Sequence, residues 1–194
     1  MKTPSSSSHV TRQRLLQAAT ELLKQDGLPA ITLRAVGDKA GVSRQTPYRH
    51  FADKDAMLAA VAAEGFMELE PLFASVHSLA CSPIEQLQGI LHLFIQFAFE
   101  HPARYLLMFS SNIREYPEVQ ASAHLVFEQF FHFVSQSYSS RFPHTDEILR
   151  VTALLFATVH GAVHLALAGH TESEKGLQDP EQLLLFLTGI LQQT

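Results

Sequence analysis

Residues 41–58 read GVSRQTPYRHFADKDAML, and the interpretation of the whole chain starts from this stretch. Four basic side chains fall within eleven residues of it: Arg44, Arg49, His50 and Lys54. The 194-residue chain nevertheless has a formal net charge of −5. Gly41 is typical of a chain that leaves a helix in the left-handed conformation, and Ser43 is a candidate N-cap for the next helix. The stretch therefore predicts two helices joined by a tight turn.

The residues around the turn extend this pattern to three helices. Apolar residues upstream predict a first helix from about Val10 to Gln25, stopped by Gly27. A second helix is predicted from Leu33 to about Ala40, with Thr32 as its N-cap. The third is expected to run from a Ser43 cap to near Phe51, and Asp53 caps a long fourth helix. Together the first three helices form a helix-turn-helix pattern.

The rest of the chain also predicts helices. Apolar residues recur with a period near 3.6, and no stretch alternates as a half-buried strand does. Four prolines precede such periods and are expected at helix starts: Pro83, Pro102, Pro117 and Pro180. A further helix is predicted over about 146–168. The predicted fold class is all-α: a flexible arm (1–9), a three-helix head (10–55) and a larger helical-bundle body (56–194).

Charge separates the predicted head from the body. Residues 1–55 contain nine Lys and Arg against five Asp and Glu, which gives +4. Residues 56–194 contain five and fourteen, which gives −9. A basic head on an acidic body predicts that the head meets a polyanion. A solvated basic face without a partner is the alternative.

Side chains near the turn have the chemistry that reads double-stranded DNA. Arg can read guanine, Gln can read adenine, and Thr can contact a thymine methyl, while Tyr and basic residues hold phosphates. The candidate DNA-binding residues are Thr32, Arg34, Ser43, Arg44, Gln45, Thr46, Tyr48, Arg49, His50 and Lys54. Pro47 conflicts with a helix that starts after Ser43 because it lacks an N–H group. Either that helix starts later or its first turn is distorted.

The segment ITLRAVGDKAGVSRQTPYRHFADKDAML, residues 31–58, resembles the helix-turn-helix signature of TetR-type transcriptional regulators. The resemblance covers about residues 10–60, and Gly37 departs from it where a small alanine is expected. A second, shorter stretch, HGAVHLALAG at 160–169, resembles the His-Gly-containing (WHG-type) subgroup of TetR-type ligand-binding domains. The resemblance implies a homodimer paired through its last two long helices. It also implies an effector cavity among the middle helices of each subunit.

The body is rich in phenylalanine, since thirteen of the fourteen Phe follow residue 55. Aromatic walls with a few polar groups suit a small apolar or aromatic effector. The candidate ligand-binding residues are Phe94, Phe97, Phe109, Phe127, Phe131, Phe156, His160 and His164. The two histidines lie one helical turn apart, a spacing that can hold zinc. Structural packing and a role as polar handles in a cavity wall are the other interpretations, and no metal is predicted.

Residues 151–169 lack Asp, Glu, Lys and Arg and approach the length of a membrane span. Two histidines and two threonines favour a helix buried on most sides in a soluble bundle, so no membrane partner is predicted. Its small residues and the leucines of the last helix can form a dimer seam or a contact within one subunit. The candidate dimer residues are Ala157, Gly161, Leu165, Ala168, Leu184, Leu187 and Leu191.

These observations predict a ligand-responsive regulator, most simply a repressor, that binds a pseudo-palindromic operator as a homodimer. A single cysteine, Cys81, excludes an intrachain disulfide and suits the reducing cytoplasm. No nucleophile elbow or phosphate-binding loop is present, and neither an enzyme nor a cofactor is predicted. The alternatives are an architectural DNA-binding protein without sequence preference and a metalloenzyme that uses His160 and His164.

Overall fold

The computed structural model describes residues 6–172, 174 and 176–193. Over these residues the regular structure is helical throughout, so the predicted all-α fold class is confirmed. The helices are α1 (Ser6–Asp26), α2 (Leu33–Lys39), α3 (Thr46–His50), α4 (Lys54–His77), α5 (Pro83–Glu100), α6 (Pro102–Met108), α7 (Pro117–Tyr138), α8 (Thr145–Leu167) and α9 (Pro180–Gln193). A 3-10 turn, Leu28–Ala30, lies between α1 and α2.

Proline and glycine set most of the helix boundaries where the sequence predicts them. Helices α5, α6, α7 and α9 each begin at a proline, whose fixed φ suits the first turn and whose missing N–H has no intrahelical partner there. Gly27 ends α1 with a φ of +75°, and Gly41 follows α2 with a φ of +64°. Residues with a Cβ are strained in this conformation.

Helix α1 begins earlier than predicted. It starts at Ser6, four residues before the expected Val10, and the Thr11 hydroxyl donates to the Ser7 carbonyl oxygen at 2.9 Å. The apolar period that predicted the helix begins only at Leu15, so sequence periodicity gave no signal for these first polar turns. A flexible arm over the full range 1–9 is therefore wrong from Ser6 onward, and residues 1–5 lie outside the described residues.

The chain forms two compact units. The first comprises residues up to Phe66 together with His101–Ala123, and the second comprises Met67–Glu100 together with residues from His124 onward. The predicted head of residues 10–55 lies within the first unit, whereas residues of the predicted body belong to both. The division of the chain into a head and a body at residue 55 stays a prediction.

In the first unit, α1 packs against α2 and α6, and α2 packs against α3. The α1 stripe predicted to face inward is buried at Leu15, Leu16, Ala19 and Leu23, while Leu22 is half-buried. Phe51 is buried as predicted, with the Arg12 guanidinium 5.3 Å from its ring centre. The Arg14 side chain donates to the Ala40 carbonyl oxygen at 2.8 Å. The end of α2 is thereby tied to α1.

Helix α6 approaches α4 closely within the first unit. A Cβ on Gly65 would lie 2.5 Å from the Met108 sulfur and 3.2 Å from Nε of the buried Arg104. Phe109, just after α6, contacts the Phe66 ring edge-on at 5.4 Å. The absence of a side chain at Gly65 is therefore what lets α6 pack here.

In the second unit, α5, α8 and α9 pack against one another. The predicted inward stripe of α5 is buried at Leu87, Ile90, Leu91, Phe94 and Phe97. Helix α8 differs from its prediction, because only 39% of its most apolar 18-residue stretch is buried. By length and composition α8 could cross a membrane. One such helix is weak evidence for a membrane span, because core helices of soluble proteins can have the same length and composition. Burial on most sides is wrong: a second apolar face, including Leu149, Leu154 and Leu165, is exposed.

Candidate functional site

The turn between α2 and α3 is built from local hydrogen bonds. Thr32 caps α2 as predicted, with its hydroxyl oxygen accepting from the Ala35 N–H at 3.0 Å. At the other end, the Val42 N–H donates to the Gly37 carbonyl oxygen at 3.1 Å, across the left-handed Gly41. These bonds satisfy backbone groups that a helix end leaves unpaired.

Pro47 is buried, and its position explains where α3 begins. The helix starts at Thr46, so Pro47 occupies its first turn, where a missing N–H removes no intrahelical bond. The prediction of Ser43 as the N-cap is wrong, because Gln45 holds that position. The Ser43 carbonyl oxygen instead accepts from the Thr46 N–H at 2.9 Å in a turn before the helix.

Pro47 also explains Gly37, the residue that departs from the family resemblance. A Cβ on Gly37 would lie 2.8 Å from Cγ of the Pro47 ring, closer than real Cβ contacts approach. The proline ring occupies the volume that an alanine methyl would fill on α2. The glycine and the proline are therefore one packing unit at the centre of the helix-turn-helix.

The candidate DNA-binding side chains around this packing unit face solvent. Arg44 and Gln45 are exposed in the turn before α3. The sequence predicted them in the first helical turn of α3, and this placement is wrong because the helix begins at Thr46. Tyr48 is 56% exposed, and Arg49 is exposed beside it. The remaining candidates here are the exposed Ser43, whose hydroxyl lies 2.8 Å from that of the half-buried Thr46, the half-buried His50, and the exposed Thr32 and Arg34.

Two of the candidate cations are already engaged by the protein. The Lys54 ammonium donates to the Leu28 carbonyl oxygen at 3.1 Å, which ties the start of α4 to the 3-10 turn. Arg34 lies 3.8 Å from Asp38 on the exposed surface of α2. Pairs of this kind at the surface contribute little to stability and can exchange for another anion.

A residue that the sequence did not single out joins α4 from a distant part of the chain. Asp53 caps α4 as predicted, with Oδ1 accepting from the Ala56 N–H at 2.7 Å. The Tyr116 hydroxyl, from the segment between α6 and α7, also hydrogen-bonds to Asp53. Desolvation, and then the negative charge of Asp53, raise the pKa of Tyr116. Only tertiary structure reveals this contact, since 63 positions separate the two residues.

In the second unit, some of the candidate ligand-binding residues form an aromatic cluster. The His160 ring centre lies 4.2 Å from that of Phe156 and 5.1 Å from that of Phe94. Phe156 in turn contacts Phe127 at 6.1 Å and Phe130 at 6.4 Å. Phe130 is a member that the candidate residues left out, although its i, i+3 spacing from Phe127 placed it on the same side of α7.

The other candidates differ in their place in the chain or in their exposure. Phe109 belongs to the first unit, where it contacts Phe66 and Tyr105. Phe97 is buried in α5, Phe131 is half-buried in α7, and His164 is exposed on α8. Helical periodicity placed each residue on a face of its own helix, but it carries no information on which faces meet.

His160 is neutral at physiological pH. Burial, and secondly the charge of His164, lower the pKa of His160 to about 4 from its ordinary 6.5. A neutral imidazole keeps one nitrogen as a hydrogen-bond acceptor and one as a donor. The cluster thus offers a polar group without a charge among aromatic rings.

The candidate dimer residues divide between surface and core. Ala157, Gly161, Leu165 and Ala168 are exposed along α8, and a Cβ on Gly161 would meet nothing within 4 Å. Leu184 is 2% exposed, which favours the alternative of a contact within one subunit, and Leu187 and Leu191 are half-buried. The exposed apolar residues of α9 are instead its neighbours Leu185, Phe186 and Ile190. Consecutive apolar residues in this helix left the inward face ambiguous.

Two family models match the chain. The model of bacterial regulatory proteins of the tetR family matches residues 15–61, which include the turn and the surface described above. The model described as Tetracyclin repressor-like, C-terminal domain, matches residues 87–189, more than half of the chain.

Individual relatives agree with these models. The HTH-type transcriptional repressor KstR2 of Mycolicibacterium smegmatis is 32% identical over 90 residues, 46% of this chain and 43% of the relative. The matched part thus spans a little under half the length of that relative. A protein of unknown function from Rhodococcus sp. RHA1 has the same fold, with a TM-score of 0.76, 22% identity and 93% of each chain covered.

A TetR transcriptional regulator from the same organism has a TM-score of 0.69 and 20% identity, and the match covers 96% of this chain and 98% of that one. At such identities the structures show the shared fold, whereas the family models match the sequence itself. The helix-turn-helix segment and the C-terminal segment are thus recognised separately, and the chain belongs to the TetR family of bacterial regulatory proteins.

Proposed function

We propose that the chain is a ligand-responsive transcriptional repressor that binds a double-stranded DNA operator as a homodimer. The observation that carries this proposal is the surface from Ser43 to Arg49, where polar side chains surround the buried Pro47. This surface lies in the part of the chain with a formal charge of +4, whereas the remainder carries −9. Only the basic part is suited to a phosphate backbone.

The roles of the side chains follow from their positions. Arg44 and Gln45, in the turn before α3, and Thr46, at its first position, would contact base edges in the major groove. Tyr48, Arg49 and His50 would contact phosphates from within α3. Thr32, Arg34 and Lys54 stand at the starts of α2 and α4, where helix dipoles favour an anion.

The exposed apolar faces of α8 and α9 would form the interface between two chains. Small residues along α8 allow another helix to approach closely, and the larger apolar side chains of α9 would lie beside them. A two-fold dimer would place its two α3 helices in successive major grooves, ~34–36 Å apart. Its operator would accordingly be pseudo-palindromic.

The aromatic cluster around His160 would receive the effector, which would be small and apolar or aromatic. The rings provide apolar walls, and the neutral imidazole provides one hydrogen bond that fixes orientation. The effector would release the DNA by favouring a conformation whose two α3 helices no longer match the operator. Its effect is limited by its difference in affinity for the two conformations.

The test is fluorescence-polarisation binding to the duplex upstream of the protein's own coding sequence and to a shuffled duplex at two salt concentrations. We expect preferential binding, by ~10³-fold or more, that weakens as salt rises. Arg44→Ala should reduce the preference, and Arg49→Ala should weaken both duplexes. Arg114→Ala removes the same charge from an exposed arginine beside Glu115 and serves as the control.

Equal binding to both duplexes would favour the alternative of an architectural protein without sequence preference. Absence of binding at low salt would contradict any DNA-binding function. For the metalloenzyme alternative, the described residues bring together no group of three or more His, Cys, Asp or Glu side chains able to hold a metal ion. His160 packs against Phe94 and Phe156 instead. If the operator lies on the chromosome of a bacterium, the protein acts in the cytoplasm.

A further inference from the structure

Helices α5 and α9 enclose a cleft of about 280 Å³ in the second unit. Its walls include four aliphatic side chains, Leu91, Ile95, Leu184 and Leu185. Gly89 also lines it, and a Cβ there would lie 3.5 Å from Cγ1 of Val76. The residues of the aromatic cluster around His160 do not line this cleft, so it is a separate feature of the molecule.

Two hydrogen-bonded pairs connect the helices beside this aliphatic lining. His92 Nδ1 lies 2.9 Å from Glu181 Oε1, and the Gln88 amide donates to the Thr188 hydroxyl at 3.1 Å. Leu184 and Leu185 lie between Glu181 and Thr188 along α9. His92 and Glu181 are both partly exposed and both line the cleft, so the carboxylate is accessible beside the aliphatic side chains.

The charge of the two helices favours a cation. Neither α5 nor α9 contains a Lys or Arg, whereas α5 carries Glu85 and Glu100 and α9 carries Glu181. Asp179 adds a further carboxylate at the start of α9, where it accepts from the Glu181 N–H at 2.9 Å. An anionic ligand would meet this field without a lysine or arginine on either wall to offset it.

We propose that the α5–α9 cleft binds a small organic cation, whose ammonium group pairs with Glu181 and whose short apolar group contacts the four aliphatic side chains. A charge-assisted hydrogen bond to a carboxylate that His92 already orients would fix the head group. The volume lies just below the ~300–1,000 Å³ of sites for drug-sized ligands, so the ligand is small. This site goes beyond the proposed function and involves residues other than those of the proposed effector cluster.

The experiment measures calorimetric binding of three probes with the same hydrocarbon chain: hexylammonium, hexan-1-ol and hexanoate. We expect hexylammonium to bind about tenfold more tightly than hexan-1-ol, because only the cation forms a charge-assisted bond to Glu181. Hexanoate should bind most weakly. Absence of hexylammonium binding, or equal or tighter binding of hexanoate, would overturn the proposal.

A matched pair of variants separates the site from the general acidity of the body. Glu181→Gln should weaken hexylammonium binding by about tenfold and leave hexan-1-ol binding nearly unchanged. Glu128→Gln makes the same change of charge in another exposed His–Glu pair, with His124 on α7, and should leave both affinities unchanged. An equal loss in the two variants would show attraction by net charge alone and would contradict a site at Glu181.

A third variant tests the apolar half of the proposal. Leu185 is 45% exposed, so Leu185→Ala leaves the buried core intact. Because Leu185 also belongs to the α9 face of the proposed dimer, light scattering must first show that the variant and the wild type have the same mass. It should weaken hexylammonium and hexan-1-ol binding by the same factor, about threefold. Unchanged binding of both probes would mean that their hydrocarbon chains lie elsewhere. The DNA-binding assay is independent of these measurements. A negative result for the cleft would therefore not contradict DNA binding, and a negative result for DNA binding would not contradict the cleft.

Discussion

At the scale of single residues, the contact of Gly37 with Pro47 explains two features that sequence reasoning found awkward. Pro47 is compatible with α3 because the helix starts one residue before it. Gly37 is compatible with α2 because the helix gains a close neighbour in return for its weaker intrinsic propensity. Neither residue can be explained without the other.

Gly37→Ala should lower the free energy of unfolding by about 1–2 kcal/mol, because the new methyl overlaps a stiff ring. In a Pro47→Ala background the same change should be neutral or stabilising by up to ~1 kcal/mol, since only the helix propensity then remains. Urea unfolding of the four proteins measures both values. A destabilising Gly37→Ala in the Pro47→Ala background would contradict the steric explanation.

His160 predicts a pH dependence of stability. Its folded pKa of about 4 lies below the ordinary 6.5, so the unfolded chain binds the proton first as the pH falls. The stability from this residue is fully present above 6.5 and is lost progressively towards pH 4. Between pH 7 and pH 5 the wild type should therefore lose about 2 kcal/mol more than His160→Gln. Equal losses in urea unfolding would mean that His160 remains accessible to protons.

At the scale of elements, α3 is a five-residue helix that depends on its surroundings for stability. An isolated helix of this length does not form in water, so packing on α2 and the preceding turn must hold it. Helix α4 is anchored differently, through a cap that also receives a hydroxyl group from the segment before α7. Asp53 therefore serves two elements at once.

Tyr116→Phe should lower the free energy of unfolding only slightly, because it removes the hydroxyl that interacts with the Asp53 carboxylate and keeps the ring. Asp53→Ala should cost about 1–2 kcal/mol, because α4 loses its cap as well. The double variant should cost less than the sum, since the hydroxyl–carboxylate bond is counted in both single changes. Strict additivity in thermal or urea unfolding would show that the two side chains act independently.

Most elements could be predicted from the sequence because their ends are marked chemically. Prolines begin α5, α6, α7 and α9, and Gly27 and Gly41 end α1 and α2. The start of α3 was mispredicted because Arg44 and Gln45 are compatible with a helix, and only Pro47 opposed it. The start of α1 was mispredicted because polar serines carry no apolar period. The helix ends that were predicted correctly are marked by proline or glycine. The starts of α1 and α3 were missed because the residues there carry a weak sequence signal or none.

At the scale of the whole molecule, α8 combines two apolar faces. One packs inside the second unit, and the other leaves Leu149, Leu154 and Leu165 exposed. Phe186 on α9 is 68% exposed, more than the other exposed large apolar side chains of the described residues. Exposed apolar surfaces of this kind are typical of places where another chain, a membrane or a ligand binds.

Leu165→Glu should convert the proposed homodimer to a monomer in light scattering after gel filtration, because it places a charge in an apolar interface. Leu125→Glu makes the same change on α7 at another exposed position and should leave the mass unchanged. The secondary structure of both variants should match the wild type by circular dichroism. A dimeric Leu165→Glu variant would place the interface elsewhere.

The two sets of candidate residues differ in how far the sequence alone could group them; both sites remain predictions. The candidate DNA-binding residues are consecutive or nearly so, and the turn between two helices keeps them on one local surface. The ligand-binding candidates come from different helices, and their grouping depends on which helix faces meet. Phe109 fell in another unit for this reason, whereas Phe130 was missed although its spacing from Phe127 on α7 indicated it. Groups of residues that are close in sequence can be predicted from the sequence. Groups that come from different helices depend on how those helices pack.

The contact of Gly37 with Pro47 also constrains how this protein can evolve. A lineage that holds the proline cannot acquire an alanine at position 37 without passing through a less stable intermediate. A lineage that first loses the proline can accept the alanine freely. The order of substitutions therefore matters at this pair, because an alanine at position 37 costs less stability when the proline is lost first.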